Sequence, residues 1–351
     1  MNRACLAALA VLLLASAVMA QAAPVYHVKA VGHLPSAVYR ATSVDTRDAV
    51  YLFGGRNESA TIAAVVRYDK ATGRAAPAGW SLPEPRMSAC AVFDGKYAFV
   101  FGGANGGNEL DTILRIEPGT GDVRTLEARL PSPRIGLSAA IHAGMAYLFG
   151  GHSNGTMLST ILRFDPSSGN LSRMGASLPA GLAGAGVAAD PQGILLFGGN
   201  TGSGGTDRVM RYDPQNDNLT VLSGRLPYPV YHAPALAFCN KIFILGGSAE
   251  LLGWEVSRAT DTIIEFDPVT GKSRTLPERL HSPRERTCAA LVDGSILVFG
   301  GQEGVRALDE ISALDASADG ASRGPAIWTI VLSVALLAPV AALALAAGRP
   351  R

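Results

Sequence analysis

The chain has 351 residues and almost balanced charge, with 30 lysines and arginines against 29 aspartates and glutamates. Because proteins that bind nucleic acid usually carry a basic excess, this balance argues against DNA or RNA as a partner. Cysteine is sparse, at four residues, and Cys90 and Cys288 are predicted to be small buried thiols without a chemical role.

Residues 1–20 have the pattern of a secretory signal peptide. Arg3 gives a positive start, Leu6 to Val18 form an apolar core, and small residues around Ala20 fit a cleavage site. The alternative, an uncleaved anchor, is disfavoured because the apolar run is short. The sequence therefore predicts export of the residues that follow.

A glycine pair recurs six times in the body of the chain. The pairs are Gly54-Gly55, Gly102-Gly103, Gly150-Gly151, Gly198-Gly199, Gly246-Gly247 and Gly300-Gly301. The first four steps are 48 residues long and the fifth is 54. Each pair follows a short apolar run, such as Tyr51–Phe53, that is typical of a buried strand. Adjacent glycines permit a positive φ or a close approach of another backbone segment.

Two further columns of residues keep the same spacing. One is a leucine column, at Leu34, Leu82, Leu130, Leu178, Leu226 and Leu280. The other is acidic and closes a second strand, at Asp69, Glu117, Asp165, Asp213, Asp267 and Asp315. Turn sequences such as Thr72-Gly73 follow the acidic column. Each unit is therefore predicted to hold about four short strands, and the chain is an array of one supersecondary unit.

This pattern resembles the kelch repeat, whose units are the blades of a β-propeller. The resemblance rests on the glycine pair after an aromatic-rich strand, on the Tyr/Phe-Asp close of the next strand, and on Pro85-Arg86, Pro133-Arg134 and Pro283-Arg284. It departs in one column, since kelch units usually carry a tryptophan before the last strand and none stands there. The resemblance implies an all-β fold, a six-bladed β-propeller of the kelch type over residues 24–317.

The last unit stops near Asp315 and lacks a fourth strand. The segment Val28–His33 stands before Leu34 as Arg274–Arg279 stands before Leu280. We therefore expect the N-terminal segment to supply the outer strand of the last blade. Closure of this kind leaves only short, protected strand edges.

The C-terminal part is predicted to hold the propeller at a membrane. Residues 318–326 form a linker, 327–347 an uncharged apolar run long enough to span a bilayer, and 348–351 a short basic tail. Three interpretations are open: a retained transmembrane helix, a signal for a lipid anchor, or a bacterial or archaeal sorting tail. All three place the propeller on the cell surface or the extracellular side of a membrane, reached through the secretory pathway.

In kelch domains, the face with the interblade loops commonly carries the binding site. The resemblance therefore implies ligand-binding candidates at this mouth, namely Arg40, His232, Arg286, Arg86, Arg134, Arg284, Tyr39, Tyr231 and Trp254. Arginines with aromatic neighbours suit a carboxylate, an acidic peptide or a sugar acid. For the three Pro-Arg arginines, a role in holding their own loops is equally favoured.

Arg40, His232 and Arg286 are the stronger candidates, because they break a column that holds small residues in the other copies. Those small residues are Ser88, Gly136 and Gly184. A different column is predicted to be scaffold, with surface packing and ion pairing at Arg67, Arg115, Arg163 and Arg211. The insertion around Trp254 is either a contact loop or a cover for its own blade. Asn-x-Ser/Thr sequons predict N-glycosylation at Asn57, Asn154, Asn170 and Asn218.

No catalytic, metal-ligand, phosphate or dinucleotide motif is present in the sequence, so no cofactor and no enzyme activity are predicted. The predicted function is a membrane-anchored, extracytoplasmic kelch propeller that binds a protein or an acidic glycan or peptide. The alternative is an exported enzyme that acts on an acidic sugar, like the sialate mutarotases, with Arg40, His232, Glu285 and Arg286 in the mouth. Convergent Glu, His and Arg side chains with perturbed pKa values would favour the enzyme, whereas a shallow arginine rim would favour binding. A third interpretation is a purely structural surface protein.

Overall fold

The structure is a computed structural model that describes residues 24–249 and 258–317. Residues Tyr26–Ala316 form one compact unit. The expected signal peptide, linker, apolar run and basic tail lie outside the described residues, as does Trp254. Between residues 24 and 317, without 250–257, no helix has the length and apolar character that crossing a bilayer requires.

The described chain is built from short β-strands. The first eleven are β1 (Val25–His33), β2 (Thr42–Asp45), β3 (Ala49–Phe53), β4 (Ala64–Asp69), β5 (Arg74–Ser81), β6 (Cys90–Phe93), β7 (Ala98–Phe101), β8 (Thr112–Glu117), β9 (Asp122–Arg129), β10 (Ser138–His142) and β11 (Met145–Phe149). The next ten are β12 (His152–Ser153), β13 (Thr156–Met157), β14 (Thr160–Phe164), β15 (Leu171–Ser177), β16 (Gly186–Asp190), β17 (Gly193–Phe197), β18 (Arg208–Asp213), β19 (Asn218–Arg225), β20 (Val230–Tyr231) and β21 (Ala235–Phe238). The last ten are β22 (Lys241–Leu245), β23 (Ser248–Ala249), β24 (Arg258–Ala259), β25 (Thr262–Phe266), β26 (Ser273–Arg279), β27 (Cys288–Val292), β28 (Ser295–Phe299), β29 (Gln302–Glu303), β30 (Arg306–Ala307) and β31 (Glu310–Ser317).

These strands form six four-stranded sheets within the described residues. Their orders are β2-β3-β4-β5, β6-β7-β8-β9, β10-β11-β14-β15, β16-β17-β18-β19, β21-β22-β25-β26 and β27-β28-β31-β1. In the first five sheets the strands follow one another along the chain and pair antiparallel. The last sheet differs, because its outer strand is β1 from the N-terminal part, which lies beside β31.

The core lies between neighbouring sheets. The second strand of each sheet is almost fully buried, as in β3, whereas the outer strand alternates between exposed and half-buried residues, as in β5. Aromatic side chains join adjacent sheets: the ring of Phe164 contacts those of Phe99 and Phe101 at centroid distances of 5.0 and 5.2 Å. The innermost strands contact one another in a closed circle, β2, β6, β10, β16, β21, β27 and back to β2.

The glycine pairs tie each sheet to the loop that enters the next one. Gly54 and Gly55 have φ values of 58° and 102°, and the N–H of Gly55 donates to the carbonyl of Arg86 at 2.7 Å. A Cβ on Gly54 would lie 2.1 Å from that carbonyl oxygen. The last pair closes the circle, since the N–H of Gly301 donates to the carbonyl of Val38 in the first repeat at 2.9 Å. The glycine pairs therefore show both expected features, a positive φ and the close approach of another backbone segment.

Candidate ligand-binding site

The segments that lead into the innermost strands meet in a closed circle of six backbone hydrogen bonds. We call this circle the mouth ring; it consists of Arg40, Ser88, Gly136, Gly184, His232 and Arg286. The N–H of each residue donates to the carbonyl of the one before it, and the N–H of Arg40 closes the circle on Arg286 at 2.9 Å. All six residues have φ between 53° and 65°. The six positions are therefore equivalent in backbone conformation.

The side chains divide the mouth ring into two halves. His232, Arg286 and Arg40 are consecutive around the circle and form the basic half; Ser88, Gly136 and Gly184 form the small half. A left-handed backbone favours glycine and strains other residues by about 1–2 kcal/mol each. Folding alone would therefore favour glycine at every position, and the basic residues point to a role beyond folding.

The mouth ring surrounds a cavity of about 510 Å³, a volume within the usual range for small-molecule sites. Below the ring, the first residues of the innermost strands line the cavity with mostly small side chains. Cys90 and Cys288 are among them, and burial raises the pKa of the Cys288 thiol to about 12. Both thiols are buried, as predicted, and their lack of a chemical role stays a prediction.

Glu285 places a carboxylate at the basic half. The carboxylate accepts hydrogen bonds from the Arg286 guanidinium, from the Ser248 hydroxyl, and from Gln302 Nε2 at 2.9 Å. His232 Nδ1 lies 3.8 Å from Glu285 Oε2, beyond hydrogen-bond reach. Burial acts to raise the pKa of Glu285, but the neighbouring His232 and the charge of Arg286 outweigh it, and the pKa lies below its usual range.

His232 is held as a neutral imidazole. Burial is the main cause that lowers its pKa; Glu285 opposes this effect, and the charges of Arg286 and Arg40 add to it. The ring also occupies the space above Gly184, where an added Cβ would lie 2.5 Å from His232 Cδ2. Gly184 is therefore needed both for its positive φ and for the imidazole that packs on it.

Unpartnered polar atoms gather on the basic half. Among the described residues, five buried side-chain polar atoms lack a hydrogen-bond partner, and three of them belong to Arg40 (Nε), His232 (Nδ1) and Thr287 (Oγ1). All three residues line the cavity. Because buried polar groups are normally paired, this cluster marks a place where a ligand or water completes the site. Burial, followed by the charge of Arg286, lowers the pKa of Arg40.

The comparison with known proteins identifies the repeat. A family model described as the KLHDC2/KLHL20/DRC7 Kelch-repeats domain matches residues 40–247, which is more than half of the chain. The chain belongs to the kelch-repeat family. No curated protein matches it. The solved structure of YjhT resembles it with a TM-score of 0.69 at 20% identity, over 82% of this chain and 99% of that chain. At that identity the likeness shows the fold alone, a kelch propeller.

The kelch Pro-Arg arginines belong to the scaffold. Arg86, Arg134 and Arg284 are 1%, 3% and 0% exposed, and none lines the cavity. Their guanidinium groups bond within the structure: Arg134 Nη1 donates to Thr160 Oγ1 at 3.1 Å, and Arg284 Nη2 to Glu310 Oε1 at 2.8 Å. Of the two roles open from the sequence, holding their own loops is the one that this placement supports.

The aromatic candidates lie beside the mouth ring. Tyr39 forms an isolated β-bridge with Arg56, and the guanidinium carbon of Arg40 lies 6.0 Å from the centroid of its ring. Tyr231 is 8% exposed and contacts His232 edge-on, with the ring centroids 4.9 Å apart. Tyr231 therefore packs on His232 from a buried position, whereas Tyr39 is half-buried beside Arg40.

The predicted scaffold column of arginines lies on the third strands of four sheets, β4, β8, β14 and β18. Arg211 forms a two-point ion pair with Asp190 at 2.8 Å, and Arg115 lies over the ring of Tyr97 at 4.8 Å. The sequon asparagines are all at least partly accessible, although Asn218 opens strand β19 instead of lying in a turn. These contacts agree with the scaffold role predicted for the arginine column.

Sequence reasoning missed several residues of the site. Ser248 and Thr287 were not singled out, and nor was Met157, which lines the cavity from the other side. For Met157 a signal existed, because the corresponding positions of the other repeats are small or polar: Thr61, Glu109, Gly205, Ala259 and Ala307. For Ser248 and Thr287 the sequence held no such signal, since serine and threonine are common in every repeat.

Proposed function

We propose that the protein is a binding module that holds an anionic ligand, a carboxylate on a glycan, peptide or small acid, in the cavity at the mouth ring. One observation carries this proposal: Arg40 Nε is buried, has no partner and belongs to a residue that lines the cavity. A guanidinium presents its N–H groups in a planar fork that matches a carboxylate. Arg286, which is next to Arg40 in the mouth ring, extends the positive surface.

The protonation states favour binding over catalysis. A general acid or base works best when its pKa lies near the operating pH. The pKa of Glu285 lies below its usual range and that of His232 below 6.5, so both move away from neutrality. Glu285 is in addition engaged by three donors. The carboxylate is therefore better suited to orienting Arg286 than to exchanging protons.

An exported enzyme that acts on an acidic sugar is the second candidate. The observation that favours it is that His232 and Arg286 line one cavity and that both lie beside the Glu285 carboxylate. Turnover of an acidic sugar that is lost in Glu285→Gln, with sugar binding retained, would support this candidate over a pure binding module.

We also infer how the module is built and displayed. The six sheets are the blades of a six-bladed propeller, and β1 completes the last blade beside β31. The signal-like residues 1–20 and the apolar run 327–347 favour a propeller anchored on the outer side of a membrane. Protease added to intact cells should then cleave the propeller, and truncation before Ala326 should release it from the membrane fraction. If the propeller resists protease on intact cells and the truncated chain stays in the membrane fraction, this location is wrong.

The binding proposal is tested with the full chain in detergent and a panel of carboxylates, followed by calorimetry. Charge-assisted hydrogen bonds contribute about 1.5–3 kcal/mol each. Replacement of Arg40 and Arg286 by alanine should therefore weaken binding more than tenfold and leave the melting temperature nearly unchanged. Arg115→Ala with Arg163→Ala is the matched control, which should lower stability and leave affinity intact. Equal behaviour of the two pairs would contradict the site.

A further inference from the structure

The two halves of the mouth differ in polarity as well as in size. The small half continues outward to Ile135 and Met157, which are both half-buried and both line the cavity. They are joined through His152, which forms a bridge with Ile135 and pairs with Met157 in the β12–β13 hairpin. An apolar surface therefore stands on the side of the cavity away from the basic half.

Met157 is the one large apolar residue at its position in the repeat, as the basic residues of the mouth ring are exceptions at theirs. The equivalent positions hold Thr61, Glu109, Gly205, Ala259 and Ala307. Each described pairing at this position has the same geometry, as in His152 with Met157 and Gln302 with Ala307. The scaffold therefore accepts small or polar residues here, and a flexible apolar side chain facing the cavity has another role.

The polar side chains next to this apolar surface each have at least one atom engaged within the structure. His152 Nδ1 lies 3.0 Å from Glu109 Oε1, and the second carboxylate oxygen of Glu109 accepts the N–H of Asn154 at 3.0 Å. Asn200 Oδ1 accepts the N–H of Gly202 at 2.7 Å. These atoms are therefore already bonded within the structure, which reduces what this side offers to the hydroxyls of a ligand.

The charges of the basic half limit the charge of the ligand. Arg40 and Arg286 are positive, Glu285 is negative, and burial keeps His232 neutral. Within the basic half the excess is one positive charge, which balances one carboxylate, and Arg56 outside the ring adds to the positive field at Arg40. Because Glu285 already occupies one side of Arg286, the unpartnered Nε–H of Arg40 is the group assigned to that carboxylate.

We propose that the ligand is an aliphatic monocarboxylate, whose carboxylate binds Arg40 and Arg286 and whose chain crosses the small half of the mouth ring to contact Ile135 and Met157. This inference rests on the proposed anion site and adds the chemical class of the ligand. The glycines at positions 136 and 184 leave the path between the two contacts free of side chains, apart from the His232 ring packed on Gly184.

The test compares acetate, hexanoate and glucuronate on the full chain, by calorimetry or ligand-observed NMR. Partial burial of the four additional methylenes predicts that hexanoate binds at least about tenfold more tightly than acetate. Met157→Asn should remove most of that gain and leave acetate unchanged, whereas Arg40→Ala should weaken both acids. Val305→Asn is the control, because Val305 is an apolar residue of the same loop face that is 97% exposed and does not line the cavity.

The outcomes separate the two proposals. If hexanoate gains nothing over acetate, or if glucuronate binds best and Met157→Asn has no effect, the aliphatic ligand is wrong while the anion site stands. If none of the three acids binds, or if Arg40→Ala leaves all affinities unchanged, the anion site itself is wrong.

Discussion

At the scale of single residues, the mouth ring separates what folding requires from what a ligand requires. Ser88 and Arg40 share the same left-handed conformation, with φ of 53° and 57°. Of the two, Arg40 carries a buried side-chain N–H for which the described residues provide no partner. Backbone strain is equal at the two positions, so their side chains can be compared directly. Substitution of the two residues by glycine should therefore raise stability at both positions and weaken binding only at Arg40.

We predict that Arg40→Gly is more stable than Arg40→Ala by about 1 kcal/mol, because glycine removes the strain of a positive φ. Both variants should lose affinity for the carboxylate. Ser88→Gly is the matched control and should gain stability without loss of binding. Urea unfolding and calorimetry on the three variants measure the two effects, and a loss of binding in Ser88→Gly would contradict the division into halves.

His232 should make both stability and binding depend on pH. Its folded-state pKa is lowered below the ordinary 6.5, so the neutral form is favoured by folding. The stability that His232 contributes is present above pH 6.5 and is lost as the pH falls through its folded pKa. Glu285, Arg286 and Arg40 are the charged groups that face it, and the pKa of the Glu285 carboxyl lies below its usual range.

Protonation of His232 adds a positive charge, so carboxylate affinity should rise as the pH falls through the folded-state pKa of His232, which lies below 6.5. The dissociation constant of hexanoate, measured between neutral pH and the pKa of the acid itself, checks this expectation. In His232→Asn the affinity should be flat over the same range. An equal rise in wild type and variant would assign the effect to another group.

At the scale of elements, the glycine pairs explain why the repeat can be recognised from the sequence. Gly54 must be glycine because a Cβ would overlap the carbonyl oxygen of Arg86, and the same constraint acts on every sheet. A constraint repeated six times leaves a periodic signal. The strands, turns and pairings followed from that signal, and the kelch family is confirmed.

The roles of individual arginines were less predictable, because one residue type serves two purposes in one loop. Arg284 is fully buried, whereas Arg286, two residues later, has a 20% exposed side chain at the cavity. The spacing of two residues says nothing about which side chain turns inward. The contact between His232 and Glu285 also joins different repeats, so no local pattern contains it.

The scaffold role of the Pro-Arg position can be tested against its aliphatic equivalents. The same position holds Arg134 in one repeat and Leu182 in the next, and each accepts the N–H of a glycine pair on its carbonyl. We predict that Arg134→Ala destabilises the propeller by about 2–4 kcal/mol, because it empties buried space and removes buried hydrogen bonds.

Arg134→Leu should be milder by roughly half, because leucine refills the volume as it does at Leu182. Urea unfolding of both variants gives the difference, and carboxylate affinity should stay unchanged in each. A large loss of affinity with intact stability would return Arg134 to the list of ligand contacts.

At the scale of the whole molecule, stability depends on joining the two ends of the repeat array. β1 lies beside β31, and Lys29 Nζ reaches Asp315 Oδ2 at 2.7 Å. We predict that deletion of residues 23–33 lowers the melting temperature severely, because it exposes a strand edge and one face of the last sheet. Lys29→Ala is the control and should cost less than about 1 kcal/mol, as exposed ion pairs do. An unchanged melting temperature after the deletion would remove the closure argument.

The mouth ring uses main-chain atoms alone, so the fold specifies where its six side chains stand without specifying what they are. Sites of this kind can diversify by substitution while the scaffold stays constant. Moving the basic half around the circle would create a differently oriented receptor from the same backbone. Each non-glycine residue adds strain of about 1–2 kcal/mol against a typical stability of about 5–15 kcal/mol. The number of ring positions that can carry a side chain is therefore limited by the stability of the propeller. A more stable propeller can hold more such side chains.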